Sequence, residues 1–262
     1  LPSSNIRVID PAESPRLPVS PRRVLNLMFG LLGGLGVGLS VAFVFEYLDS
    51  RIKSPDEMKA RLGIPYLGMI PKVKGSTSMM SRDTSSSFAE AFRSVRTNVL
   101  FSFTDDGPRT LVVTSASLGE GKTQVSANLA ISLAQAGQRV VLVDGDMRRP
   151  RVHSFLEIDQ EPGLSDLLVG TVTASEACKR SAVSGLWVVP AGHKAPNPAD
   201  LLGSNRFQAI LSELGETSDW VIVDSPPVMV VADAALIANR CLGALFVVGV
   251  DKVGRREAQA AL

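Results

Sequence analysis

Residues 114–124, T-S-A-S-L-G-E-G-K-T-Q, stand between an apolar run and a stretch of helical character, and their composition suits one task, the holding of phosphates. From Ala116 to Thr123 the pattern is A-x-x-x-x-G-K-T, with Ala where such loops more often carry Gly. It follows a strand and opens a helix, the context a phosphate-binding loop requires. The backbone N–H groups of Gly119, Glu120 and Gly121 are expected to converge on a β-phosphate at the positive end of the helix dipole. Lys122 would bridge β- and γ-phosphates, Thr123 would offer its hydroxyl to Mg²⁺, and Gln124 completes the nucleotide-binding stretch.

Two further segments bring carboxylates to the same place. V-V-L-V-D-G-D-M-R-R-P ends an apolar run in Asp144, with Asp146 two residues on, and W-V-I-V-D-S-P-P ends another in Asp224. In an open parallel sheet ligands bind beyond the carboxyl ends of the strands, so all three carboxylates are expected on the side of the phosphate loop. Asp224 suits the task of holding Mg²⁺ through water. Of Asp144 and Asp146, one can steady the metal and the other accept a hydroxyl proton, and spacing does not say which. Aspartates at strand ends also cap turns, which would account for any one of the three but poorly for all of them.

These groups need a scaffold. From Phe88 onward, apolar runs at 110–115, 139–144, 186–191, 220–225 and 244–250 alternate with helical stretches. That alternation predicts an α/β fold, a P-loop NTPase domain over 88–262 with a mostly parallel, doubly wound sheet covered on both faces. The closing stretch G-R-R-E-A-Q-A-A-L stops where such a sheet usually adds a strand, and the chain opens on Leu1 rather than Met, so a fragment truncated at both ends is expected.

Upstream, the character changes. Val24–Phe45 runs 22 residues without a charge, and at about 1.5 Å per residue that spans the roughly 30 Å hydrocarbon core of a bilayer. A transmembrane helix is predicted. A signal peptide has a shorter apolar core, and a buried core helix rarely lacks a charged face. Gly30, Gly34 and Gly38 form one small-residue face, suited to close helix packing or simply tolerated in a membrane span. Residues 1–23 are Pro-rich and aperiodic. Within 46–87, Ser54 as cap, Pro55, Glu57 and Gly63 punctuate a short helix, and the Ser/Thr-rich residues 72–87 form a tether.

Composition narrows the partners. With 27 basic and 26 acidic residues interspersed, net charge is +1, and no clustered basic face points to nucleic acid. Cys178 and Cys241 are far apart, and His153 and His193 stand alone, which predicts neither a disulfide framework nor a zinc site.

The phosphate loop, the D-x-D segment and the D-S-P-P segment resemble the Walker A, A′ and B motifs of the bacterial tyrosine kinases that couple to chain-length determinants of polysaccharide export, the Wzc-like co-polymerases. The resemblance runs from Pro21 to Leu262 and includes I-P-Y-L-G-M-I-P, G-L-S-D-L-L-V-G and P-N-P-A-D-L-L. Partition-type ATPases share the fold but place a lysine where this chain has Ser117; a switch ATPase or a nucleotide-gated assembly module is the rival reading. The resemblance implies an ATP- and Mg²⁺-dependent protein-tyrosine autokinase of the bacterial inner membrane. Its kinase domain would be cytoplasmic, its residues 1–23 periplasmic, and phosphorylation would act on chain length through ring assembly. It implies as partners a homo-oligomeric ring phosphorylating in trans, the polysaccharide polymerase and outer-membrane export machinery, and a cognate tyrosine phosphatase. E-A-F-R-S-V-R matches the E-x-x-R-x-x-R by which that family joins subunits, at Glu90, Arg93 and Arg96. At 100° per residue these flank an apolar stripe of Phe88, Phe92, Val95 and Val99, and by spacing alone an intrahelical ion pair is the simpler reading. The family phosphorylates a C-terminal tyrosine cluster, whereas this chain has only Tyr47 and Tyr66.

Overall fold

The computed structural model describes residues 20–48, 51–52, 55–72, 87–103, 109–250 and 252–262. The chain divides into two units, residues 1–50 and 51–262. In the first, helix α1 (Arg23–Leu48) extends the expected apolar span by one residue at its start and three at its end. It is a single helix long and apolar enough to cross a membrane. A Cβ built on Gly30, Gly34 or Gly38 meets nothing within 4 Å, so the small-residue face is open.

The second unit opens with α2 (Pro55–Leu62) and α3 (Ser87–Ser102). Pro55 starts α2 and Gly63, at φ +66°, ends it; this left-handed stop is open to glycine at little cost. The proposed cap Ser54 and residues 73–86 of the expected 72–87 tether lie outside the described residues, while Ser87, counted in that tether, is the first residue of α3. Helix α3 buries Phe88, Ala89, Phe92, Val95 and Val99, the stripe that the 3.6-residue period foretells.

The remaining chain follows a strand–helix rhythm: β1 (Arg109–Ser115), α4 (Lys122–Gln135), β2 (Val140–Asp144), α5 (Val152–Leu156), α6 (Leu164–Val169) and α7 (Ala174–Ala177). Then come β3 (Lys179–Arg180), β4 (Leu186–Val189), α8 (Pro198–Gly203), α9 (Asn205–Thr217), β5 (Trp220–Asp224), α10 (Asp233–Ala238), β6 (Gly243–Val247) and α11 (Arg255–Ala260). The sheet order is β3-β4-β2-β5-β1-β6. All pairs are parallel except β3 with β4. That two-residue antiparallel edge was not foreseen, because Lys179–Arg180 has no apolar pattern to read.

Both sheet faces are covered, and each strand alternates between them. Val140, Leu142, Trp220 and Ile222 pack with α3 and α4 on one face, while Val141, Val143, Val221 and Val223 pack with α6 and α9 on the other. Side chains two apart share a face, so burial on both sides makes these strands read as unbroken apolar runs. The expected run 186–191 ends as a strand at Val189, because the Pro190 and Ala191 carbonyls instead accept from the N–H groups of Leu164 and Ser165 at the start of α6.

Candidate functional site

The register of the central strands builds the site. Asp224 lies opposite Val113 on β1 and opposite Asp144 on β2. Two carboxylates therefore end neighbouring strands, beside the loop that leaves β1. Gly145 lets them close: its N–H donates to the Asp224 carbonyl (2.8 Å). An added Cβ there would sit 2.8 Å from that oxygen and 2.9 Å from Ile237 Cδ1.

The phosphate loop runs from Ala116 to Gly121, and α4 starts at Lys122. Gly119 and Gly121 take φ of +77° and +98°, conformations that side-chain-bearing residues rarely adopt. Gly121 caps α4 without any side-chain hydrogen bond. The positive end of the helix is thereby offered to an anion rather than to a capping residue.

Lys122 departs from expectation in one respect. A loop lysine would ordinarily be exposed, but Lys122 is 8% exposed. Burial lowers its pKa, against the charges of Asp224, Asp146 and Glu120, which raise it. Asp224 is buried; Thr123 Oγ1 donates to its Oδ2 at 2.6 Å, and its Oδ1 has no hydrogen-bond partner among the described residues. Burial pushes the Asp224 carboxyl up to about 7, against the Thr123 hydrogen bond and the Lys122 charge. Asp144 is fully buried too, and burial together with the Asp224 charge holds its pKa well above the usual carboxylate range.

Asp144 and Asp146 turn out to be unequal. Asp144 Oδ1 accepts from Asp146 N–H (3.2 Å) and its Oδ2 from the N–H groups of Arg151 (3.2 Å) and Val152 (3.1 Å). It organises the turn that leaves β2. Asp146 is half-buried and accepts only from Arg149 N–H, through Oδ1 (3.0 Å), among the described residues. Gln124 occupies the first turn of α4 and is half-buried.

Several contacts at the loop were not foreseen. The Glu120 side chain is buried, with Oε1 accepting from Ser117 N–H and Oε2 from Gly249 N–H (2.8 Å). Lys252 donates to the Gly119 carbonyl and Ser117 Oγ donates to Glu257. Partners 129 to 140 residues away in sequence leave no local trace. Arg148 pairs bidentately with Asp233 through Nε (2.7 Å) and Nη2 (3.0 Å).

On α3, Glu90 and Arg93 form an exposed intrahelical ion pair (2.8 Å). Arg96 turns toward α4, where it donates to the Ser132 carbonyl (2.9 Å). The three do not project as one band. Of the two isolated histidines, His193 has its Nδ1 2.8 Å from Asp166 Oδ1 and its Nε2 3.0 Å from Glu161 Oε2, and Cys178 and Cys241 carry free thiols.

A glycine-shaped loop at a helix start, on a parallel sheet with carboxylates closing the adjacent strands, defines a P-loop protein of the NTPase class, a fold that implies nucleotide binding. Residues 109–242 match the AAA domain family. The tyrosine-protein kinase ptk of Acinetobacter johnsonii is 30% identical over 248 residues, covering 90% of this chain and 34% of that protein. The solved BceF tyrosine kinase domain is 31% identical with a TM-score of 0.73, covering 80% of this chain and 91% of that one. A chimerical protein, CapA2B2, is 32% identical with a TM-score of 0.74, covering 79% and 91%. The chain belongs to the bacterial tyrosine-kinase family and spans about a third of the length of the Acinetobacter relative.

Proposed function

We propose that this chain is the ATP-dependent protein-tyrosine autokinase part of a membrane-anchored polysaccharide co-polymerase. The observation that carries the reading is the convergence of Lys122, Thr123, Asp144, Asp146 and Asp224 on one phosphate loop in a chain whose relatives bear tyrosine-kinase names. Phosphoryl transfer asks for positioning and charge neutralisation rather than covalent chemistry. Thr123 and Asp224 fit Mg²⁺. Asp224 Oδ1 is a buried carboxylate oxygen without a hydrogen-bond partner among the described residues, and burial raises both carboxyl pKa values, with the Asp224 charge adding to it at Asp144, a cost of ionisation that a bound cation would relieve. Mg²⁺ is ordinarily held by one or two carboxylates, phosphates and water, and when bound it neutralises charge on the phosphates.

The chain's own groups do the rest. N–H groups of Gly119, Glu120 and Gly121 and the first turn of α4, including Gln124, receive the phosphates; Lys122 stabilises the charge that develops on the transferred group. Asp146, half-exposed and with one oxygen lightly engaged, orients and accepts the proton of the tyrosine hydroxyl. Asp144 has both oxygens committed to backbone N–H groups, so it shapes the turn and would add its negative charge to the site that holds the metal. Ser117, placed where partition-type ATPases carry lysine, is bonded to Glu257 and offers no second cation.

In this reading α1 spans the inner membrane, with the kinase domain cytoplasmic and residues 1–23 periplasmic. The exposed Glu90–Arg93 pair, with Arg96, contributes to a homo-oligomeric ring that phosphorylates in trans, beside the polysaccharide polymerase, the outer-membrane export machinery and a cognate phosphatase. Neither Tyr47, exposed in the last turn of α1, nor Tyr66, half-buried with Lys59 Nζ 5.0 Å from its ring centroid, resembles a flexible acceptor tail. Incubation with γ-labelled ATP and a tyrosine-bearing acceptor peptide tests the assignment: label on tyrosine supports it, and quantitative release as inorganic phosphate moves the chain to the switch ATPases.

A further inference from the structure

The Asp233 carboxylate is completely buried, at the first residue of α10. Its partner comes from another loop: Arg148 reaches it with both Nε and Nη2, the parallel two-bond geometry that fixes a guanidinium in orientation as well as distance. Arg148 is two residues from Asp146 in the turn after β2, and α10 is joined to the end of β5 by residues 225–232. The ion pair therefore crosses between the two segments that carry the site's carboxylates. A second contact lies alongside. Gly145, between Asp144 and Asp146, packs so closely on Ile237 of α10 and on the Asp224 carbonyl that it has no room for a methyl group.

The pair is weak support for stability, since Asp233 is buried while the Arg148 side chain is 42% exposed, so solvent screens the attraction that must offset the desolvation of the carboxylate. Its orientation is the informative property. The Asp146 backbone hangs between the Asp144 carboxylate, which accepts from its N–H, and Arg149, whose N–H binds its side chain. Neither bond links the turn to α10. Among the described residues Arg148 is the side chain that ties the turn to α10 by hydrogen bonds, beside the apolar packing that Met147 and Ile237 share in one core cluster.

We propose that the Arg148–Asp233 pair is a positioning element of phosphotransfer, holding the Asp146 turn against α10 and the β5 end so that the Asp146 carboxylate meets the acceptor hydroxyl over the phosphate loop. The proposal rests on the reading of Asp146 as the group that accepts the hydroxyl proton. Misplacement of a reacting group by about 1 Å costs on the order of 100-fold in rate, so the pair acts on kcat and leaves nucleotide binding, which belongs to the phosphate loop, unchanged.

A double-mutant cycle tests this in the native chain, with an acceptor tyrosine peptide and γ-labelled ATP. Arg148→Lys keeps the charge and loses the two-bond fork; it is expected to lower kcat at least 10-fold with the KM for ATP within twofold. Asp146→Asn alone is expected to lower kcat strongly, and adding Arg148→Lys to it should cost less than a further twofold, because there is no carboxylate left to position. Equal losses in both backgrounds, measured with circular dichroism melts to track folding, mean that the pair serves only the fold, and they overturn the proposal. So does a raised KM with unchanged kcat. Full activity of Asp146→Asn removes the underlying reading of Asp146, an outcome distinct from additivity. The double replacement Arg148→Met with Asp233→Leu removes both charges together, and it should fold yet remain slow; wild-type kcat in that folded variant likewise overturns the proposal.

Discussion

Replacing Asp224 by Asn in the metal-free protein should stabilise it above neutral pH while disabling it. Asp224 is buried and its carboxyl is raised from an ordinary 3.8 to about 7, with burial the largest cause. A raised carboxyl contributes its stability in the protonated form. The contribution is full below the unfolded value near 3.8 and is lost as pH climbs through the folded value near 7. Roughly three pK units correspond to about 4 kcal/mol as a ceiling, at about 1.4 kcal/mol per unit. Relaxation and water penetration halve such figures in practice, leaving about 2 kcal/mol. Asn keeps an oxygen to accept from Thr123 Oγ1 and sheds the charge. At about 2–4 °C per kcal/mol for a domain of this size, the variant should melt roughly 4–8 °C above wild type at pH 8 and close to it at pH 4.5. Asp144 titrates in the same direction, raised partly by the Asp224 charge, so its share of the slope shrinks too. Calorimetry in chelator over pH 4.5–8 measures both slopes, and Mg²⁺ with ADP should then raise the wild-type Tm more than the variant's. A variant that melts below wild type at pH 8, or one with an unchanged pH slope, would refute the account of Asp224 as a carboxylate strained by burial and relieved by a cation.

Four other substitutions have expected outcomes. Lys122→Met should lower phosphotransfer by at least about 100-fold, measured as label on tyrosine; because Lys122 is buried among Asp224, Asp146 and Glu120, it should also lower the Tm at pH 8, where those carboxylates lose their cation. Gly145→Ala forces the ends of β2 and β5 apart, and should lower both the Tm and kcat, the latter at least 10-fold, in the same two assays. Arg93→Ala should leave the melting temperature within a degree, since exposed pairs of that spacing contribute about 0.2–0.5 kcal/mol. Arg96→Ala forfeits a tie to the Ser132 carbonyl and should cost about 1 kcal/mol. Light scattering on the double variant should show monomers in place of ring-sized species, and a surviving oligomer would reduce Glu90, Arg93 and Arg96 to an intrachain role.

The segments that repeat a local rule were legible without coordinates. The phosphate loop is a contiguous string whose backbone geometry follows from its own glycines, and Gly119 and Gly121 take the positive φ it requires. The central strands announce themselves because burial on both faces makes their middles unbroken apolar runs, and α3 shows its buried stripe because one helical face is enough to dock it. Strand-end carboxylates could be assigned to one edge because parallel strands all finish there.

What the sequence alone left undecided depends on contacts between distant residues. It could not separate Asp144 from Asp146, since only folding reveals that the N–H groups of Arg151 and Val152 consume one carboxylate and leave the other lightly held. A lysine in a loop would ordinarily be exposed, and packing buried Lys122. Nothing local singles out Arg148, Asp233, Glu257 or Lys252; tertiary structure joined the first two between the turn after β2 and α10 and brought the others to the phosphate loop. Local patterns record which way a backbone turns and which face meets the core. The partner of a charged side chain is set by strand order and register, which bring together residues as far as 140 positions apart and are written in no single stretch of chain.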